Sequence, residues 1–202
     1  NETIPLKRLL SLKFHMIPSK YQKYKPVYFD KGKRSLIYKF KKGKKDYIIK
    51  SKHPDSKAVG RLLNEAKFLK ILNKKGIGPK LVNSGKDYIV YEFVQGKFIK
   101  DIKISKRIAV QILNQCRGLD ILGIIKEEMH HPVKHVLVDK NKVAMIDFER
   151  CHYSTDPKNA TQFIHYLFSI KFLKRTDKVL KVIREYSKDK SDKNFKNLIK
   201  II

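Results

Sequence analysis

Three short runs rich in β-branched and aromatic residues, Val27–Phe29, Leu36–Phe40 and Tyr47–Lys50, are separated by Lys-Gly turn signals at 31–33 and 41–45 and read as strands. Over about 57–74 the apolar residues Leu62, Ala66, Leu69 and Leu72 recur at helical spacing, and Gly76 and Pro79 mark the end of that helix. Strands near Leu81–Asn83 and Tyr88–Phe93 complete a β-β-β-α-β-β unit. From Gly96 the period changes. A helix over about 105–123 places Ile108, Ile112 and Leu119 inward, and strands His135–Val138 and Lys142–Ile146 flank a turn at 139–141. Helices near 157–172, 177–186 and 192–202 follow. Ahead of all this, Leu6, Leu9, Leu10 and Leu12 beside Lys7, Arg8 and Lys13 predict a short basic amphipathic helix before Pro18. The pattern predicts an α+β fold, with a small antiparallel sheet and one helix joined to a mainly helical half. The expected division is a basic extension at 1–24, a first lobe at 25–95 and a second at 96–202.

Composition sharpens this picture. The 202 residues suit one two-lobed domain, and 42% hydrophobic content with 10 Tyr and 11 Phe excludes a disordered chain. No apolar run approaches the roughly 18 residues of a membrane span, and no secretory h-region follows the first residues. Cys116 and Cys151 cannot build a secreted-type disulfide framework. The expectation is a cytoplasmic protein with no membrane association and no stable protein partner. The net charge of +28 changes the picture most. AT-rich codon bias inflates lysine, and heat adaptation matches lysine with glutamate, a match this chain lacks. An unmatched cationic excess repels itself unless a polyanion neutralises it, and nucleic acid is the commonest one.

Four segments carry candidate chemistry. Tyr47-Ile48-Ile49-Lys50 is a strand ending in lysine, as in the kinase V-A-I-K signature, where the lysine holds the α- and β-phosphates of ATP. Glu65 lies fifteen residues on, within the first half's helix, where a carboxylate can position that ammonium. The plain alternatives are a solvated lysine and a surface i,i+4 pair. Val143–Glu149 is an apolar strand ending Asp147-Phe148, similar to the D-F-G segment whose aspartate binds Mg²⁺, with Glu149 in place of the glycine. The fourth segment, Glu127–Val138, stands where kinases carry H-R-D-L-x-x-x-N. Aligning the following strand puts His135 at the metal-binding Asn position and His130 at the catalytic Asp position. Glu128 is the nearest carboxylate, and Lys134 is a candidate contact for the transferring phosphate. A zinc reading of His130, His131, His135 and His152 stays open beside this one.

The phosphate-covering loop is sparse. Gly32 and Ser35, with Lys33 and Arg34, lie between the first two strands and can cover phosphates or form an ordinary hairpin turn. Glu92 and Phe93 end the fifth strand and fit a hinge that hydrogen-bonds adenine through its backbone.

Together these segments resemble an atypical protein-kinase-like family of the RIO and Bud32 kind, over about 27–172. The resemblance implies a two-lobed protein-kinase-like fold with a small N-lobe and a reduced helical C-lobe, and ATP and Mg²⁺ as nucleotide and cofactor. No A-P-E segment follows Phe148, so the peptide platform of ordinary protein kinases is expected to be absent. Lys126-Glu127-Glu128-Met129, Pro132, Lys134-His135, Ile146–Arg150 and Pro157–Phe163 resemble a small archaeal group of RNA kinases. That likeness implies phosphorylation of the ribose 2′-hydroxyl of a variable-loop uridine in tRNA, and it implies that Glu128, Pro132 and Lys134 belong to a replacement catalytic loop. A minimal serine/threonine protein kinase and a non-catalytic RNA-binding pseudokinase are the alternatives. A tRNA partner would meet Lys7, Arg8 and Lys13, the lysines of 41–45, and Lys171, Lys174, Arg175, Lys178, Lys181 and Arg184. Arg150 and Asn159 either position the acceptor nucleotide or cap the following helix.

Overall fold

The computed structural model describes residues 16–202, and the expected basic helix over the first residues lies outside them. The chain divides into two units, one running to residue 70 and taking up 79–93, the other holding 71–78 and 94–202.

The first unit contains α1 (Ser19–Gln22), β1 (Val27–Lys31), β2 (Ser35–Lys42), β3 (Lys45–Lys52), most of α2 (Arg61–Leu72), β4 (Leu81–Gly85) and β5 (Tyr88–Glu92). Its strands form one antiparallel sheet in the order β1-β2-β3-β5-β4. Side chains alternate between the faces of a strand, so register decides which residues share a face. Tyr38 is opposite Ile49, which is opposite Val90, and these belong to a core cluster with Leu36, Phe40 and Ile17. Ile37, Lys50 and Ile89 are likewise aligned and take the other face. Residues 16–24, assigned above to a basic extension, complete the core instead. Ile17 is buried, and Tyr24 stacks on Phe40 at 5.3 Å between ring centroids. Helix α2 begins later than expected. The Ser56 amide donates to the His53 carbonyl and the Ala58 amide to the Ser56 hydroxyl, local bonds that compete with helix geometry.

The second unit contains β6 (Lys97–Phe98), α3 (Lys106–Ile121), β7 (Ile124–Ile125), β8 (Val136–Asp139), β9 (Lys142–Met145), β10 (His152–Tyr153), α4 (Asn159–Ser169), α5 (Asp177–Lys188) and α6 (Asp192–Lys200). Strands β6, β8 and β9 form one antiparallel sheet, and β7 pairs with β10. The hydroxyls of Ser105, Thr176 and Ser191 cap α3, α5 and α6 by accepting from amides three residues on. Ile108, Ile112 and Leu119 face inward, as the helical spacing predicts. At Gly96 (φ 152°) a Cβ would lie 2.9 Å from the Val138 backbone, so only glycine allows β6 to approach β8. Among the described residues no helix is long and apolar enough to cross a membrane.

Candidate active site

In the first unit the Lys50 ammonium donates to Glu65 at 2.8 Å, with side-chain exposures of 8% and 2%. Lys50 is held in register between Ile37 and Ile89 in the middle of the sheet, so its position is set by two neighbouring strands. Burying two charges costs several kcal/mol per ion, which their attraction repays only in good geometry. Such a pair is weak evidence of selection for stability, and a buried, precisely held cation is a candidate for binding an anion.

The connection between β1 and β2 closes on itself. The Gly32 amide donates to the Ser35 carbonyl at 2.9 Å and Ser35 is buried, while Lys33 is exposed. At the other end of the sheet, the amide donors of the expected hinge are already committed. The Glu92 amide donates to the Lys80 carbonyl and the Phe93 amide to the Asp46 carbonyl, both at 2.9 Å. Backbone recognition of adenine by these two residues is therefore limited to their carbonyls. The Glu92 carboxylate pairs with Lys45 at 2.9 Å and approaches Lys80 at 3.8 Å.

In the second unit the β8–β9 hairpin delivers Asp147. The Ile146 amide donates to the His135 carbonyl at 2.9 Å, and Asp147 follows with φ 64°. Glu128 has φ 74°. Left-handed backbone costs an ordinary residue roughly 1–2 kcal/mol, so both carboxylates sit where the surrounding contacts impose their conformation. Those contacts are visible. Lys126, 1% exposed, donates from Nζ to the Asp147 carbonyl at 2.7 Å and lies 5.0 Å from the centroid of Phe148. Arg150 donates to Glu128 Oε1 at 2.8 Å and also pairs with Glu127. His135 Nε2 pairs with Glu128 Oε2, and its Nδ1 lies 3.8 Å from Asp147 Oδ2. His135 thus pairs with the loop carboxylate and lies beside the hairpin carboxylate.

Glu149 is buried, and carboxylate oxygens of Asp147 and Glu149 lie within 4.8 Å of each other. Two hard oxygen donors at that spacing fit a divalent cation such as Mg²⁺. His130 and Lys134 are exposed on the same loop, outside the network that joins Glu128 to Arg150 and His135. The four histidines of the zinc reading do not converge. The ring of His131 packs edge-on against Tyr166 and His152 is turned to the Arg150 carbonyl, while His135 is on Glu128.

A buried hub supports this loop. Asp120 accepts from the Asn159 amide (2.8 Å), the Asn159 side chain (2.7 Å), the Ala160 amide (3.2 Å) and the Tyr186 hydroxyl (3.0 Å). It therefore caps α4, which has no side-chain cap of its own. Asn159 accepts from the Lys126 amide at 2.8 Å and donates to the Ile124 carbonyl at 2.7 Å. Of the two roles open for Asn159, the structure gives the architectural one; Arg150 positions acidic side chains. Burial raises the Asp120 pKa against the lowering effect of these donors, and burial followed by the Asp120 charge raises those of Cys116 and Tyr186. Lys126 stands in one of the segments singled out above, yet nothing local marks its bond to the Asp147 carbonyl, and Asp120 falls inside a helical pattern as any polar residue would.

No family model and no curated protein matches the sequence. Among solved structures the chain is similar to the Rio2 kinase of Chaetomium thermophilum, determined as an ADP/Mg²⁺-phosphoaspartate complex. The TM-score is 0.58 at 14% identity, over 95% of this chain and 74% of that one. The fold is kinase-like. In this fold Lys50 stands on the third strand and Glu65 on the helix that follows, while Asp147 ends the later hairpin.

Proposed function

We propose that this protein is an ATP- and Mg²⁺-dependent RNA kinase of the RIO-like kind, which transfers the γ-phosphate to a ribose 2′-hydroxyl of a variable-loop uridine in tRNA. The buried Lys50–Glu65 pair carries the nucleotide half of this reading, because a strand lysine held by a helix glutamate is the arrangement with which kinases grip the α- and β-phosphates. The RNA half is supported by the unmatched charge of +28 and by the loop residues Glu128, Pro132 and Lys134, which replace the usual kinase signature.

Lys50, fixed by Glu65, would grip the α- and β-phosphates. Asp147, with Glu149 beside it, would hold Mg²⁺, which when bound offsets the phosphate charge. Glu128 would take the proton of the attacking hydroxyl as the oxygen bonds to the γ-phosphorus, the bond to the β-phosphate oxygen breaks and ADP leaves. One carboxylate oxygen is held by Arg150 and the other by His135, so the base is oriented before the acceptor arrives. Lys134, exposed on the same loop, would steady the transferring phosphate; His130 is the alternative base.

Incubation with γ-labelled ATP and tRNA tests this directly. Label that resists protease, is lost to ribonuclease and maps by mass spectrometry to one nucleotide is expected. Label on protein acceptors instead would make the chain a minimal serine/threonine kinase. RNA binding with no transfer, unaffected by Lys50→Ala, would make it a pseudokinase.

A further inference from the structure

Helices α5 and α6 form a hairpin that carries a row of exposed lysines. Their apolar faces are used within the fold: Ile183, Tyr186, Phe195 and Leu198 are buried. The turn is pinned from α3, where Arg117 donates to the Lys190 and Ser191 carbonyls at 3.1 and 3.2 Å, pairs with Asp192 at 2.5 Å and lies 4.5 Å from the Phe195 ring centroid. Of the hairpin's carboxylates, Asp189 and Asp192 are engaged locally, while Asp177 and Glu185 lie one turn before and one turn after Lys181 on α5. Asp189 accepts from the Ser191 amide and the Asn194 side chain, each at 3.0 Å, and Asp192 takes Arg117.

The outward side is different. Lys178, Lys181 and Lys188 on α5 and Lys193, Lys196 and Lys200 on α6 are exposed, and among the described residues none has a carboxylate within ion-pair distance. On α6 the lysines fall at i, i+3 and i+7, one face spanning about 10 Å at 1.5 Å per residue. Unpaired like charges at helical spacing repel one another and destabilise the helix that carries them. A rigid face on α6 whose charges are all lysine, held at that cost, suits a partner with closely repeated negative charge. No large apolar side chain of either helix is exposed to enter a lipid layer, which favours a phosphate backbone over a membrane surface.

We infer that the outward face of the α5–α6 hairpin is the docking surface for the RNA backbone, engaging phosphates without reading bases; this rests on the RNA-acceptor reading above. Because the turn is fixed by Arg117, the lysines are presented without ordering a loop, and binding loses little backbone entropy.

The test measures binding of the whole protein to unmodified tRNA between 50 and 300 mM KCl, about the range over which counterion release is resolved. K193Q/K196Q/K200Q is expected to bind about tenfold or more weakly near 150 mM salt and to reduce the log–log salt slope by about 2–3. K178Q/K181Q/K188Q should act in the same sense. ATP affinity and melting temperature should be unchanged in both. K41Q/K42Q/K44Q, a matched removal of exposed charge in the first unit, should have a clearly smaller effect. Equal losses for all three triples would mean a diffuse field and overturn the assignment, as would wild-type affinity in both hairpin triples. Wild-type binding to phosphatidylserine vesicles that depends on these lysines, without dependence for tRNA, would also overturn it. If the wild-type protein has no affinity for tRNA, the RNA-acceptor reading fails first.

Discussion

The Lys50 ammonium and the Glu65 carboxylate sit 2.8 Å apart with both side chains withdrawn from water, so each is the condition for the other's burial. Lys50→Met is expected to destabilise the protein by about 3–5 kcal/mol, because it leaves the Glu65 charge uncompensated. The double variant Lys50→Met/Glu65→Leu should recover much of that loss, since neither charge of the pair remains. Phosphate transfer should be abolished in both. Denaturant unfolding of the two variants checks the stability claim, and a single variant as stable as wild type would contradict it.

Arg150 has a different signature. Its side chain is 43% exposed and its ion pairs with Glu127 and Glu128 are accessible to water, so Arg150→Gln should change stability by less than about 1 kcal/mol. Its effect belongs in the chemical step. Loss of the fork that fixes Glu128 should reduce kcat by roughly 10²-fold with little change in the KM for ATP. Arg150→Lys should not restore the rate, because an ammonium cannot engage both glutamates in one plane. An Arg150→Gln enzyme with normal kcat would remove Glu128 positioning from the mechanism.

Lys126 acts through the backbone of Asp147, whose carbonyl it holds at 2.7 Å. Lys126→Met keeps the side chain's length but deletes the donor, leaving a left-handed residue without one of the contacts that impose its geometry. The expected result is a higher Mg²⁺ concentration for half-maximal transfer, with the KM for RNA unchanged. Titration of activity against Mg²⁺ distinguishes this from a purely structural loss, which would lower the plateau without moving the midpoint.

The elements that were legible in the sequence are those long enough to show a period. The strands around Lys50 carry runs of β-branched and aromatic residues, and α2 and α3 carry apolar residues at helical spacing, so Lys50, Glu65 and Asp147 were placeable on a strand, a helix and a hairpin end. Two-residue strands such as β6, β7 and β10 have no period to read. Residues 16–24 are aromatic as well as basic, and their charge concealed the packing of Ile17 and Tyr24 against the sheet. The links that organise the loop, Arg150 to Glu128 and Lys126 to Asp147, join residues more than twenty positions apart, and long-range pairing of charged residues leaves no local signal in a chain with 47 basic side chains.

The buried Tyr186–Asp120 hydrogen bond gives the protein an alkaline instability that one substitution should remove. Burial and then the Asp120 charge raise the Tyr186 pKa above its ordinary value of 10.0. Above about pH 10 the unfolded chain therefore loses this proton while the folded chain keeps it, and the folded state weakens by about 1.4 kcal/mol per pH unit until the raised pKa is reached. Tyr186→Phe removes that titration. At pH 7 it should cost about 1–2 kcal/mol for the lost hydrogen bond, with Asp120 still held by Asn159 and Ala160. Between pH 10 and 11.5 the gap between wild type and variant should shrink, because only the wild type is losing stability through this group. Denaturant unfolding of both proteins across that range measures the gap directly, and a gap independent of pH would show that Tyr186 titrates alike in the folded and unfolded chains.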